Sequence, residues 1–168
     1  MALLMLDAGL RVGEVVQLKV SDLIFNRLPV KTLTVSADIA KTKEERTVPI
    51  SSRLSGALTT LSETFFSQGH EDFLGYAFFR TNYDEPMTTR QVERIIRTAA
   101  LKSIGRPVHP HMLRHTFATR IWRKAGERTT QELLGHQNII STMIYTHPNY
   151  ADGSSGTVSF MWGGSSYR

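Results

Sequence analysis

HPHMLRHTFATRI, residues 109–121, holds three of the chain's six histidines, His109, His111 and His115, with Arg114 set among them. Pro110 suits the first turn of a helix, and Leu113, Phe117 and Ile121 step by four, so one side of that helix is expected to be buried. His111 and Arg114, three apart, then share a second face. The pair His111 and His115 has the spacing of a helical metal site. Such motifs usually bring a carboxylate, however, and here a guanidinium would stand beside the cation at a Coulomb cost. Two other readings are open: histidines hydrogen-bonded to backbone, with Arg114 paired to an acid such as Glu14, or a cradle for an anion.

Working outward, MALLMLDAGLRVGEVVQLKVSDL (1–23) reads as two helical stretches broken around Gly9, with Val12, Val15, Val16 and Val20 on the buried side of the second. Arg11 opens that stretch and Glu14 follows three residues later. PVKTLTVS (29–36) and ERTVPIS (45–51) have strand composition. The charged turn between them carries Lys41 and Lys43, which suggests a small antiparallel hairpin or meander. Ser51 and Ser52 are N-cap candidates for a helix with Leu54, Ala57, Leu61 and Phe65 inward. YAFF (76–79) fits a short strand or a core insert. Thr88 or Thr89 opens another helix, with Val92, Ile95, Ile96 and Ala99 inward and Arg90, Arg94 and Arg97 elsewhere; Gly105 and Pro107 end it.

Downstream, TTQELLG (129–135) reads as a short helix, Thr129 and Glu132 forming a capping box and Gly135 the left-handed stop. STMIYTH (141–147) suggests one more. From Asp152 the chain turns to Gly and Ser, interrupted by the strand-like TVSFMW (157–162). The expected fold class is α+β, mostly α, with a small antiparallel sheet near the N-terminal third.

The length of 168 residues fits one domain. Without cysteine there is no disulfide framework, thiolate metal site or cysteine nucleophile. MALLMLDAGL is apolar but far short of the ~20 residues that span a bilayer, and it lacks the basic start of a secretory signal. No membrane association is expected. The net charge of +5 mildly favours a polyanionic partner.

The anion reading gains from the rest of the chain. Arg11, Lys41, His111, Arg114 and His136 are cationic or can become so, and Tyr145, nine residues after His136, is a hydroxyl nucleophile. Two arginines can clamp the non-bridging oxygens of a phosphodiester through forked hydrogen bonds. Imidazole and ammonium groups can move protons at its bridging oxygens, so this chemistry requires neither metal nor cofactor.

AGLRVGEVVQL, AKTKEERTVPI, HPHMLRHTFATRI and LLGHQNIISTMIYTH together resemble, in order and spacing, the four signature segments of the tyrosine recombinase (phage integrase) family. The resemblance covers residues 1 to about 147. It implies a catalytic domain over 1–151, followed by a 152–168 tail. It further implies a site-specific DNA recombinase, an integrase of a mobile element, that cuts and rejoins double-stranded DNA through a 3′-phosphotyrosyl intermediate without metal or ATP.

By the same match Tyr145 is the nucleophile, and Arg11 and Arg114 brace the phosphorane. Lys41, with Lys43 as its rival, protonates the leaving 5′ oxygen. His111 serves the tyrosine hydroxyl and His136 holds a phosphate oxygen. Glu14 orients Arg11, His115 is structural, and Thr89, Arg90 and Gln91, with Lys43, are expected to touch DNA. Family members add an N-terminal helical domain, for which this match leaves no room, so either an excised catalytic domain or a natural minimal form is expected, the abrupt MALLML start favouring the first. The family's homo-tetramer would form on DNA in the full-length setting, with the isolated domain monomeric, in a prokaryotic cytoplasm. TVSFMW replaces the family's terminal helix and could pair with a sheet edge in cis or in trans. Two rival readings share the residues: relaxation of DNA in the manner of type IB topoisomerases, and a non-catalytic DNA-binding module retaining the fold.

Overall fold

The structure, a computed structural model, describes residues 1–67, 75–81 and 84–135, the last three of the first segment by backbone alone. The side chain of Phe65, and His70, His136, Tyr145, His147, the 141–147 helix and the 157–162 strand, lie outside the described residues.

Among the described residues ten elements follow in order: α1 (Ala2–Asp7), α2 (Val12–Gln17), α3 (Val20–Leu23), β1 (Ile24–Phe25), β2 (Leu28–Pro29), β3 (Thr32–Val35), β4 (Arg46–Pro49), α4 (Ser52–Ser67), α5 (Thr89–Ile104) and α6 (Pro110–Leu134). Helix α1 buries Leu4 and Met5 and packs chiefly against α6. It stops at Gly9, whose φ of +67° favours glycine. A Cβ at Gly9 would collide with the Phe117 ring, so α6 approaches this turn as closely as backbone allows.

The second predicted helical stretch is in fact two helices. Leu18 and Lys19 are extended because they pair with a distant segment: Ala77 N–H donates to Leu18 C=O at 2.8 Å, and Val20 N–H to Gly75 C=O at 3.0 Å. YAFF supplies single bridges here, Tyr76 opposite Lys19 and Phe79 opposite Pro86. The valine stripe holds, with Val15, Val16 and Val20 buried and Val12 packed against the core.

The expected hairpin is β3–β4, antiparallel, with Leu33 opposite Val48 and Val35 opposite Arg46. Leu33, Val35, Arg46 and Val48 face inward. A second, smaller hairpin, β1–β2, turns through Asn26 and Arg27, both at positive φ. Its strand β2 claims Leu28 and Pro29, so the predicted 29–36 strand begins only at Thr32.

Ser51 caps α4, its Oγ accepting from Leu54 N–H at 3.1 Å. Leu58, not Ala57, continues the buried stripe, because the face turned inward steps by four from Leu54. Asp7 fastens this corner: its carboxylate accepts from Ser51 Oγ (3.0 Å) and from the Arg53 and Arg120 guanidiniums.

Thr88 caps α5 and Gly105 ends it with φ +70°. Only Val92 and Ile96 are fully buried; Ile95 and Ala99 are exposed, since α5 meets α2 along a narrow stripe that reaches Ala100. In α6, Pro110 stands in the first turn, Phe117 and Ala118 are buried, and Gly126 (φ 79°, ψ −176°) breaks the helix. That break overturns the capping box at Thr129: the helix resumes earlier, and Glu132 instead accepts from Arg128 Nε at 3.2 Å. Gly135 is the left-handed stop expected. No described helix is long and apolar enough to cross a membrane.

Candidate active site

The start of α2, the loop after β3, the N-terminal part of α5 and the start of α6 converge on one cleft of about 370 Å³. Arg11, Lys41, His111 and Arg114 all line it, with His109, Pro110, Leu10, Val12 and Glu93. Four of the six residues that the sequence marked for phosphate chemistry thus share a cavity, although Arg11 and Arg114 are separated by most of the chain. His136 and Tyr145 lie outside the described residues.

Each side chain is delivered by a local device. Arg11 is the N-cap of α2 and about a quarter exposed, its head open to the cleft. Arg114 sits one turn into α6 and is 4 % exposed. Its guanidinium donates to Gly9 C=O and, at 2.8 Å, to Leu134 C=O, so α6 and the glycine turn fix it from both sides. His111 is exposed on the first turn of α6, and His115 half-buried one turn on. Lys41 is exposed on the loop between β3 and β4 and reaches the cleft. Lys43, in left-handed backbone two residues on, lines neither described groove and donates to Asp38 C=O at 3.4 Å.

Glu14 is the hub. It is 1 % exposed, and its two oxygens accept from Arg46 at 3.0 and 2.6 Å, Arg11 Nη1 at 3.1 Å and Arg11 backbone N–H at 2.8 Å. Arg114 Nη1 lies 4.0 Å away. Burial alone would raise the Glu14 pKa, but the hydrogen bonds and charge of Arg46, the Arg11 amide and the charge of Arg114 together hold it below the usual carboxylate range. Glu14 is therefore an anion fixed among three guanidiniums.

A second groove, of about 460 Å³, adjoins the first through Glu93 and His109 and runs along α5 past Thr88, Arg90, Gln91, Arg94 and Arg97. Of the residues expected to touch DNA, Arg90 and Gln91 line it. Thr89 does not; Thr88 takes that place. The side-chain carbonyl of Gln91 is engaged in the cap, accepting from Thr88 N–H and Oγ1 at 2.9 Å each. Arg94 and Arg97 were missed, though their spacing from Arg90, four and seven residues, already placed all three on one helix face. Arg46 was missed as well; the alternation of β4 put it on the side of Val48, and a buried arginine implies a buried acid. Among the described residues no group of three or more His, Asp or Glu side chains could hold a metal ion.

What the arrangement offers is a cationic pocket with forked donors, an ammonium and an imidazole, open to a basic groove. Comparison with known proteins agrees in kind. The family model described as the phage integrase family matches residues 1–152. Tyrosine recombinase XerC of Bacillus pumilus (strain SAFR-032) is 37 % identical over 150 residues, covering 86 % of this chain and 47 % of the relative. Tyrosine recombinase XerD of Rickettsia bellii (strain RML369-C) is 32 % identical, covering 86 % and 49 %. Among solved structures, that of XerA recombinase superposes with a TM-score of 0.71 at 32 % identity, covering 88 % of this chain and 52 % of that one. XerH site-specific recombinase, bound to difH substrate in a pre-cleavage complex, gives 0.61 at 28 %, covering 89 % and 42 %. The chain spans about half the length of the curated relatives it matches.

Proposed function

The chain belongs to the phage integrase family, and from that premise we propose that it is the catalytic part of a site-specific DNA recombinase, an integrase of a mobile element. The observation that carries this reading is the single cleft lined by Arg11, Lys41, His111 and Arg114.

In the proposed step, one phosphodiester of double-stranded DNA enters the cleft with its non-bridging oxygens toward Arg11 and Arg114. The Tyr145 hydroxyl gives up its proton toward His111 while its oxygen attacks phosphorus. The bond to the 5′ oxygen breaks, and Lys41 supplies the proton that makes it a 5′-hydroxyl. The product is a 3′-phosphotyrosyl link, which conserves the energy of the phosphodiester. Attack by the 5′-hydroxyl of another strand reverses every transfer and rejoins the backbone, so neither ATP nor a metal enters the balance. His136, next after the Gly135 stop, would hold a phosphate oxygen. The groove along α5 would track the flanking duplex, its arginines meeting phosphates and Gln91 meeting backbone or base edges. Assembly as a tetramer on DNA in the bacterial cytoplasm belongs to the same reading. Relatives named as tyrosine recombinases favour strand exchange over simple relaxation.

The test is covalent capture from a pool of nicked duplexes with randomised sequence, in which the nick traps the cleaved complex. The wild-type chain should yield a DNA adduct that Tyr145→Phe abolishes. No adduct from any duplex would leave a DNA-binding module, and plasmid relaxation without a preferred sequence would mark a topoisomerase.

A further inference from the structure

We propose that Arg46 is a positioning residue of the cleft: it neutralises Glu14 from behind and ties that carboxylate to the end of α6, so that Arg11 and Arg114 stay directed at phosphate. The inference rests on the recombinase reading above.

Arg46 makes no contact with the cleft itself; its guanidinium is buried on the inner face of β4. A carboxylate has about four lone-pair sites. At Glu14 they take both forks of Arg46, one Arg11 side-chain nitrogen and the Arg11 amide. Without Arg46, the buried Glu14 would draw Arg11 at 3.1 Å and Arg114 at 4.0 Å toward itself as its remaining counter-charges among the described residues. It would then compete with phosphate for the donors that phosphate needs. With Arg46 in place the single negative charge of Glu14 is matched from behind, and the group of three guanidiniums around it keeps a net positive charge toward the cleft.

The third N–H direction of Arg46 matters equally. Arg46 Nε donates to Leu133 C=O at 3.1 Å, while Arg114 donates to the next carbonyl, Leu134, at 2.8 Å. The last carbonyls of a helix lack intrahelical partners and form the negative end of its dipole. Two arginines from separate elements thus cap α6 side by side. The stop that follows is closed over Arg46: a Cβ at Gly135 would lie 3.1 Å from Arg46 Cδ. One side chain thereby couples the strand that follows the Lys41 loop, the carboxylate that holds Arg11 and the helix end that holds Arg114. Lysine could supply the charge but not the fork and the Nε–H together.

The experiment compares wild-type and Arg46→Lys chains on a duplex recovered by the capture described above, in single-turnover cleavage at saturating protein. It is run once with an ordinary scissile phosphate and once with a methylphosphonate there, which lacks the anionic oxygen that the arginines clamp. Arg46→Lys should bind the duplex as tightly as wild type yet cleave the phosphodiester about a hundredfold more slowly, the scale of a misplacement of about 1 Å. Most of that deficit should vanish on the methylphosphonate. Equal slowing on both substrates, a deficit lying wholly in affinity, or unchanged cleavage overturns the proposal. Failure of the wild-type chain to form any adduct would instead overturn the recombinase reading. Should Arg46→Lys not fold, Arg46→Gln, which leaves the Glu14 charge in place beside a neutral partner, carries the same comparison with the same expected selectivity for the charged phosphate, and equal slowing on both substrates again overturns the proposal.

Discussion

Glu14→Gln is the most informative perturbation of stability, because it removes one charge from the centre of three guanidiniums and almost no volume. In the folded chain Arg46 is 7 % exposed and has Glu14 as its ion-pair partner. The amide keeps one acceptor but deprives that buried guanidinium of its ion-pair partner among the described residues. Breaking a buried pair from one side costs about 3–5 kcal/mol, and the retained acceptor places the expected loss near the lower end, about 3 kcal/mol. For a chain of 168 residues that corresponds to a fall in Tm of about 6–12 °C, at about 2–4 °C per kcal/mol.

The pH dependence has a definite sign. The folded Glu14 pKa lies below the ordinary value of 4.5, so the unfolded chain takes up the proton first as pH falls. The stabilisation is complete above the ordinary value and disappears as pH drops through the lowered one. Wild type and Glu14→Gln should therefore converge in stability under acid conditions. Asp7, whose pKa is also lowered, chiefly by its hydrogen bond from Arg53, titrates in both proteins and cancels from the difference. Urea denaturation from pH 7 downward measures both quantities. A loss under about 1 kcal/mol, or a gap between the two proteins that widens in acid, would refute the reasoning.

Other consequences can be checked separately. Gly9→Ala should cost about 2–4 kcal/mol in urea denaturation, from left-handed backbone and collision with Phe117; replacing Phe117 by leucine in the same chain should recover part of it. Arg11→Lys and Arg114→Lys should each slow adduct formation by about 10²–10³, the scale of losing one aligned donor; near-normal rates from both would remove them from the site. A 5′-bridging phosphorothiolate, whose leaving group needs no proton, should rescue Lys41→Ala, and rescue of Lys43→Ala instead would exchange their roles. Arg94→Ala and Arg97→Ala should each lower the salt dependence of DNA binding by about one unit of slope, measured by titration at several salt concentrations; unchanged slopes would place them off the DNA path.

Local signals in the sequence proved the most readable. Thr88, Gly105, Pro110 and Gly135 stand at helix ends because each satisfies or releases a backbone group by itself, whatever packs nearby. The alternation that sends Leu33, Val35 and Val48 inward is equally local. Misreadings came from partners far along the chain. Lys19 is extended because Gly75–Ala77 binds that segment, and nothing in the helical spacing of the valines betrays it. Ile95 and Ala99 face solvent because the neighbouring helix α2 is short and covers a single stripe. Gly126 is the local exception: its backbone breaks α6 three residues ahead of the expected cap at Thr129. Within the site, Glu14 was legible as a neighbour of Arg11 three residues away. Its stronger bond to Arg46 depends on how the hairpin folds over α2, which spacing does not encode.

The central claim, that Arg11 and Arg114 grip one phosphate, is tested most directly by a crystal structure of the chain with orthovanadate and a cleaved duplex. The account predicts vanadium in the cleft beside Lys41 and His111, its oxygens about 2.7–2.9 Å from nitrogens of both guanidiniums. Vanadate bound along α5, or held by one of the two arginines while the other remains turned to Glu14, would contradict it.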